Sequence, residues 1–264
     1  MKKIPLYQVD AFTSTLFSGN PAAVCPLDEW LPDQVMQQIA QENNLSETAF
    51  IVPWDEGYHL RWFTPHEEVA LCGHATLATA WVIFHFLEPQ RQEIHFQSLS
   101  GLLTVRRADE LITLNFPRVD YKPCPLPDYI VEGLNVKPVE FYRSQRYVAV
   151  LETEAQIKNL SLNLMALAQM DCPGIIVTAP SDDKQYDFVS RYFTPKIPRI
   201  EDPVTGSAHC VLAPYWGQRF NKTRLVARQL SARGGDVVCE LQGDRVWLSG
   251  YAVLYMKGEI FNIQ

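Results

Sequence analysis

The sequence predicts an α+β fold in which two homologous domains each wrap a curved, barrel-like, mostly antiparallel sheet around one central helix. Three observations carry this prediction: one passage recurs half a chain later, the helix that follows it is apolar on every side, and the remaining segments read mainly as short strands. We predict a first domain at residues 1–115, completed by a C-terminal strand at 251–264, and a second domain at residues 116–250.

The internal repeat is the first of these observations. Four residues of "RWFTP" (61–65) recur 130 residues later in "RYFTP" (191–195). In each copy a glycine-centred turn follows, "CGH" at 72–74 or "TGS" at 205–207, and an apolar helix comes after the turn. The same order of local features in both halves indicates two related domains.

The helix predicted at residues 74–87, "HATLATAWVIFHFL", has apolar or small side chains around its whole circumference. A helix without a polar face must be enclosed on all sides, and in a strand-rich domain a curved sheet provides the enclosure. The helix start would open at the mouth of that sheet. Its free backbone N–H groups and the positive end of the helix dipole would attract an anion.

The other elements follow from hydrophobic periodicity. A helix is expected near residues 32–44 and another at 161–170, and the proline-rich segment 116–129 is the predicted linker. Strands are expected at residues 6–12, 49–54, 59–63, 93–108 with a boundary at Gly101, 111–116, 146–152, 173–179, 187–193, 236–242 and 245–261.

Composition excludes several classes of function. The net charge of −7 and the pI near 5.4, with no basic cluster larger than a pair such as Arg106-Arg107, argue against nucleic-acid binding. No apolar run is long enough to cross a membrane and no secretory signal opens the chain, so we expect a cytoplasmic protein. The six cysteines form no CxxC pair, which is typical of reduced thiols.

Common cofactor and hydrolase motifs are also missing. His66-Glu67 resembles the start of a zinc-protease motif, but Ala70 occupies the position of the second histidine. "TGSAH" around Ser207 lacks the flanking glycines of a nucleophile elbow, and the chain has no nucleotide-binding glycine loop. We therefore expect neither a metal nor a cofactor.

Five motifs cover most of the chain: "VDAFTSTLFSGNPAAV" (9–24), "NLSETAFIV" (44–52), "RWFTPHEEVALCGHATLATA" (61–80), "YFTP" (192–195) and "EDPVTGSAH" (201–209). Together, and in this order, they resemble the PhzF-like phenazine biosynthesis family, which shares its fold with diaminopimelate epimerase. The resemblance implies a homodimeric, cofactor-independent isomerase, with a site between the domains that binds a small unsaturated or cyclic carboxylic acid.

The resemblance also implies roles for individual residues. Glu47 matches the general acid/base that moves a proton between carbons, and His74 and Asp202 match polar groups beside the substrate. The remaining matched positions are substrate-binding ones: Asn20, which would shape the site near its entrance, and the helix-start residues Gly73, Gly206 and Ser207, which would hold the carboxylate.

Cys72 raises an alternative. Relatives that racemise amino acids use two thiols, one before each central helix, whereas this chain has Cys72 in the first place and Thr205 in the second. A threonine hydroxyl is far too weak an acid to replace a thiol, which favours a single glutamate acid/base. Two alternatives stay open: an epimerase or racemase that pairs Cys72 with a non-thiol group, and a non-catalytic protein that binds small acids. His209, one turn into the second helix, is expected to line or pack rather than react.

Overall fold

The computed structural model describes residues 2–263. Its strands are β1 (Lys2–Ala11), β2 (Asn20–Pro26), β3 (Glu47–Trp54), β4 (Gly57–Phe63), β5 (Glu68–Val69), β6 (Glu93–Ser98), β7 (Gly101–Ala108), β8 (Leu111–Pro117), β9 (Lys122–Pro123), β10 (Glu140–Arg143), β11 (Tyr147–Val150), β12 (Ile175–Pro180), β13 (Phe188–Phe193), β14 (Glu201–Asp202), β15 (Arg224–Gln229), β16 (Gly235–Gln242), β17 (Arg245–Gly250) and β18 (Ala252–Ile263). Its α-helices are α1 (Asp33–Asn43), α2 (Gly73–Val82), α3 (Asp128–Leu134), α4 (Glu154–Lys158), α5 (Leu164–Leu167) and α6 (Gly206–Phe220).

The chain divides into two compact units. The first runs to Phe116 and resumes at Trp247, and the second runs from Pro117 to Val246. In the first unit β1 pairs antiparallel with both β18 and β2, and only the β2–β3 and β4–β6 pairs are parallel among the pairings described. The second unit likewise combines antiparallel pairs with two parallel ones, β11–β12 and β13–β15. The predicted α+β class is confirmed.

Helix α2 is enclosed as the sequence predicted, because all ten of its residues are buried. Its two threonines need partners in this setting, and they find them in the backbone of the preceding turn. The Thr76 hydroxyl donates to the Cys72 carbonyl at 2.5 Å, and the Thr79 hydroxyl donates to the Ala75 carbonyl at 2.7 Å. A π-helical turn, Ile83–Leu87, then ends the helix. Internal hydrogen bonds therefore let two threonines sit in an apolar core.

Helix α6 is the central helix of the second unit and is buried from Ala208 to Gly217. It contains Pro214, which has no N–H to donate to the carbonyl of Cys210 one turn earlier. The backbone N–H of Val119 donates to that carbonyl instead, at 3.1 Å. The proline thus frees an acceptor that anchors the segment entering the second unit.

The internal repeat has a structural counterpart in a pair of forked ion pairs. In the first unit Arg61 on β4 donates through Nε and Nη2 to the two carboxylate oxygens of Glu68 on β5, both at 2.7 Å. In the second unit Arg191 on β13 donates in the same way to the two carboxylate oxygens of Glu201 on β14, at 2.7 and 2.9 Å. Each of these ion pairs links the short strand that precedes the central helix, β5 or β14, to the strand with which it pairs, β4 or β13.

Some elements differ from the sequence-based expectation. The helix expected at 161–170 shrinks to α5, which Asn163 caps by accepting from the Ala166 N–H, and the strand expected at 245–261 is interrupted at Tyr251. Helices α3 and α4 and strands β2, β5, β9, β10, β14 and β15 were not predicted. No helix among residues 2–263 has the length and apolar character required to cross a bilayer.

Candidate active site

A polar cluster lies at the start of α2 in the first unit. Glu47 is the first residue of β3, and it follows directly on the turn where α1 ends with the left-handed residue Asn44. His74 is the second residue of α2, in its first turn, and is buried like the rest of the helix. The parallel pairing of β2 with β3, in which Ala22 lies opposite Glu47, brings the start of β2 beside both.

Gly19 positions the start of β2. Its φ of +67° is a conformation that side chains rarely adopt, and a Cβ at this position would lie 2.2 Å from the carbonyl oxygen of Ala11. Only glycine therefore lets the chain turn tightly enough for Asn20 to pair with Ala11 on β1. This turn places the Asn20 side chain against His74, with no exposed surface.

The central feature of the cluster is the approach of Glu47 to His74. The His74 Nε2 and Glu47 Oε2 atoms lie 3.1 Å apart, and the two side chains are only 5% and 18% exposed. This distance suits an ion pair, but the atoms are not aligned for a hydrogen bond, and neither has another hydrogen-bond partner among the described residues. Buried polar atoms are nearly always satisfied, so this unsatisfied pair makes the cluster the candidate site for a ligand.

The opposite edge of the His74 ring contacts two further residues. Its Nδ1 atom lies 3.1 Å from Asn20 Nδ2 and 3.5 Å from Cys72 Sγ. The Ser46 hydroxyl donates to Asn20 Oδ1 at 2.9 Å. A chain of contacts therefore runs from Ser46 through Asn20 to His74, and Asn20 acts in the structure as a buried partner of His74 rather than at an entrance.

The same cluster offers ligands that a metal ion can use. Glu47, Cys72 and His74 each present one ligand atom, and the three atoms lie within 4.8 Å of one another. An oxygen, sulfur and nitrogen set of this kind suits zinc or another transition metal. No local sequence motif indicates this set of ligands, because the fold alone brings residue 47 beside residues 72 and 74.

In the second unit, a polar group surrounds the start of α6. The Thr205 hydroxyl donates to the Asp202 carboxylate, in a short contact. Gln229, which is fully buried on β15, accepts from the Thr205 N–H at 2.8 Å and donates to the Asp202 carbonyl at 2.7 Å. Asp202 and Gln229 thus fix the residue that precedes the helix.

The other predicted residues of the second unit lie in the first turn of α6. Gly206 opens the helix and is buried, whereas Ser207 is half-buried. His209 donates from Nδ1 to the Thr205 carbonyl at 2.8 Å and is completely buried. Burial lowers the pKa of His209 to about 4, despite the opposing effect of this hydrogen bond, so its ring is neutral near neutral pH.

The structure therefore gathers the predicted residues into two groups. Asn20, Glu47, Cys72, Gly73 and His74 lie together in the first unit, and Asp202, Thr205, Gly206, Ser207 and His209 lie together in the second. Sequence reasoning missed Ser46 and Gln229. Ser46 stands immediately before Glu47 in "SETAF", which could have drawn attention to it, whereas no local signal connects Gln229 to Thr205.

The fold and the site, with a carboxylate beside an imidazole at the start of an enclosed helix in a strand-rich unit that has an internal counterpart, are typical of the isomerase class. Residues 9–258 match the PhzC-PhzF family, described as "Phenazine biosynthesis-like protein". The chain belongs to this family, and it is an isomerase.

Individual relatives agree with this assignment. The chain is 49% identical to an uncharacterized isomerase of Pseudomonas aeruginosa over 98% of this chain and 99% of the relative. It is 46% identical to an uncharacterized isomerase of Halalkalibacterium halodurans over 98% and 99%. The crystal structure of a PhzF-family protein from Enterococcus faecalis superposes with a TM-score of 0.95 at 46% identity, covering 99% of this chain and 100% of that one.

A more distant neighbour bears on the fold alone. A hydroxyproline epimerase of Agrobacterium vitis superposes with a TM-score of 0.63 at 11% identity, over 98% of this chain and 92% of the other. The predicted epimerase-like fold, two related units each with a sheet around a central helix, is confirmed.

Proposed function

We propose that this isomerase moves a proton between two carbons of a small unsaturated or cyclic carboxylic acid, with Glu47 as the acid/base and without a cofactor. The observation that carries the proposal is the buried pair of Glu47 Oε2 and His74 Nε2, which lie 3.1 Å apart and make no hydrogen bond within the described residues. A base needs an open lone pair at the reacting carbon, and Glu47 Oε2 keeps one.

The proposed reaction conserves all atoms. Glu47 Oε2 takes a proton from one carbon, and the electron pair of the broken C–H bond shifts into the conjugated system of the substrate. The neutral carboxylic acid of Glu47 then returns the proton to a second carbon, which restores the carboxylate. His74 lies 3.1 Å from the carboxylate that shuttles the proton, and is the proposed partner for a substrate oxygen on which charge develops.

Binding of the substrate carboxylate is proposed to use the helix starts. The first N–H groups of a helix have no partner within the helix, and the dipole favours an anion there. Gly73 opens α2 and Gly206 opens α6. Ser207, half-buried in the first turn of α6, is the proposed substrate contact beside Asp202.

The test is turnover of a panel of small unsaturated carboxylic acids, followed by NMR. Glu47→Gln keeps the shape of the side chain but removes the base, and we expect it to lower the rate by about 10²- to 10⁴-fold. Glu42→Gln, an exposed position on α1, is the matched control and should turn over at the wild-type rate. Undiminished turnover in Glu47→Gln would falsify the assignment.

A second candidate is epimerisation with Cys72 as the base. It is favoured by the 3.5 Å contact between Cys72 Sγ and His74 Nδ1, since a neighbouring imidazole can take the proton of a thiol. This alternative predicts exchange of the substrate α-hydrogen with D₂O that disappears in Cys72→Ala and persists in Glu47→Gln. Binding of a small acid by calorimetry, with no chemical change in either variant or in the wild type, would instead indicate a non-catalytic binding protein.

The resemblance also implies a homodimer in the cytoplasm, and we infer the same for this chain from its family. Light scattering coupled to gel filtration measures the oligomeric state directly. A monomer at all accessible concentrations would contradict the inference.

A further inference from the structure

We propose that Ser46 and Asn20 are positioning residues that hold His74 in the neutral tautomer with its proton on Nε2. This deepens the proposed function, on which its catalytic meaning rests, but the tautomer itself can be measured without a substrate. The proposal starts from the orientation of the buried Asn20 amide.

Asn20 lies between a hydroxyl and an imidazole. Its Oδ1 atom accepts from Ser46 Oγ at 2.9 Å, and its Nδ2 atom lies 3.1 Å from His74 Nδ1. An amide NH₂ group can only donate, so the ring nitrogen that faces it must be the unprotonated one. The Ser46 hydroxyl therefore orients the amide, and the amide assigns the acceptor role to Nδ1.

The contact with Cys72 fits the same arrangement. Its sulfur lies 3.5 Å from His74 Nδ1, and a neutral thiol is a weak donor that approaches a nitrogen lone pair. Two donors then converge on Nδ1, and the ring proton of a neutral His74 must be on Nε2. This gives Cys72 a supporting contact with the imidazole rather than the role of a nucleophile.

The consequence is a matched donor and acceptor at the site. With this tautomer the His74 Nε2–H is a hydrogen-bond donor that has no partner within residues 2–263, and Glu47 Oε2, 3.1 Å away, is an acceptor that has none there either. A substrate that offers a C–H bond to Glu47 and an adjacent carbonyl or carboxylate oxygen to Nε2–H satisfies both atoms. The opposite tautomer would put a lone pair at Nε2, which repels that oxygen.

His209 has the opposite tautomer and serves as an internal reference. Its Nδ1 atom lies 2.8 Å from the Thr205 carbonyl. A carbonyl oxygen can only accept, so the His209 ring carries its proton on Nδ1. The burial that lowers the pKa of His209 to about 4 keeps its ring neutral throughout such a measurement.

The test is a long-range ¹H–¹⁵N correlation of the full-length chain labelled with ¹⁵N-histidine, at about pH 8, above the ordinary imidazole pKa. His74→Gln identifies the His74 signals. We expect a protonated Nε2 and an unprotonated Nδ1 for His74, and the reverse pattern for His209. A wild-type His74 with its proton on Nδ1 overturns the proposal without any variant and without reference to turnover.

Variants then test the two positioning residues. Asn20→Asp replaces the donor by a carboxylate that only accepts, so the proton should move to Nδ1 or the ring should become an imidazolium. Ser46→Ala should give a mixture of tautomers, and Ser46→Thr, which keeps a hydroxyl, should restore the wild-type pattern. Ser98→Ala removes a hydroxyl that donates to the Gly101 carbonyl in the same unit and should change nothing.

Two outcomes contradict the assigned roles. An unchanged His74 pattern in folded Asn20→Asp means that Asn20 does not set the tautomer, and an unchanged pattern in Ser46→Ala means that Ser46 does not orient Asn20. If Asn20→Asp fails to fold, the Ser46 variants and the wild-type tautomer decide the matter. Loss of turnover in Glu47→Gln addresses the proposed reaction separately, because none of these spectra depends on it.

Discussion

Acid should destabilise this protein through His209, a residue that the proposed reaction does not use. Its ring is fully buried in α6, and burial lowers its pKa from the ordinary value of 6.5 to about 4. The unfolded chain therefore binds a proton at a higher pH than the native state does. Where the unfolded state binds more protons, stability rises with pH, so stability is lost as the pH falls from about 6.5 towards 4.

The size of this loss follows from the two pKa values of His209, the ordinary 6.5 and the lowered value of about 4. One pKa unit corresponds to about 1.4 kcal/mol, which gives a loss of about 2 kcal/mol between pH 8 and about pH 5, and about 3 kcal/mol by about pH 4. Solvent does not weaken this effect, because the His209 side chain has no exposed surface. The loss is a substantial part of the stability of an ordinary domain.

The assay is urea unfolding at about pH 8 and about pH 5, followed by circular dichroism, for the wild type and for His209→Gln. The variant lowers stability at both values of pH, because it removes a packed ring, but it lacks the titrating group. We therefore expect its free energy of unfolding to fall by about 2 kcal/mol less than that of the wild type over this interval.

His66→Gln, at an exposed position, is the control and should keep the wild-type dependence on pH. If the wild type and His209→Gln lose the same stability between the two values of pH, the buried imidazole is not the source of the acid sensitivity, and the reasoning fails.

Two further predictions concern the residues that place the site. Gly19→Ala should destabilise the fold by about 2 kcal/mol or more, because a Cβ would meet the Ala11 carbonyl at 2.2 Å, whereas Gly101→Ala, with a φ of +88° but open space around it, should cost only about 1 kcal/mol in thermal unfolding. Gln229→Leu should cost about 2 to 4 kcal/mol, because the Thr205 N–H and the Asp202 carbonyl would lose their buried partners; an unchanged urea midpoint would show that these two bonds contribute little.

The repeat shows how far the sequence alone can reach. Arg61 and Arg191 match at a fixed offset, so the sequence reveals them as equivalent. Their carboxylate partners, Glu68 and Glu201, stand at a different offset, because the second copy has three more residues between the arginine and its partner. A search for a constant period therefore finds the two arginines but misses their glutamate partners. The two-pronged ion pairs with these glutamates are nevertheless the interactions that the repeated arginines make.

The enclosed helices were predictable for a related reason. The apolar circumference of α2 is a property of consecutive residues, so it can be read directly from residues 74–87. The support of the site is not local in this sense. Gln229 reaches Thr205 from a strand that alternates too weakly to be recognised, and its role depends on burial that only the folded sheet provides.

Short helices were missed because tertiary contacts rather than periodicity stabilise them. Helix α4 has five residues, and a capping box in which Thr153 and Gln156 exchange hydrogen bonds defines its start. The Glu154 side chain then accepts from the Asp182 N–H and from the Ser181 hydroxyl, far along the chain. A segment this short is not a stable helix by itself, so its sequence contains no periodic signal.

A comparison of the residues that precede the two central helices helps to decide whether the reaction uses one acid/base group or two. In the first unit the residue before the central helix is Cys72, whose sulfur lies against His74 Nδ1. In the second unit the equivalent residue is Thr205, whose hydroxyl donates to Asp202 and accepts from Gln229 Nε2 at 3.2 Å. A hydroxyl with both roles occupied, and with an ordinary acidity far below that of a thiol, is a poor second acid or base. The arrangement therefore favours a reaction in which one carboxylate both removes and returns the proton, and it makes the response of turnover to Glu47→Gln, compared with Cys72→Ala, the decisive measurement.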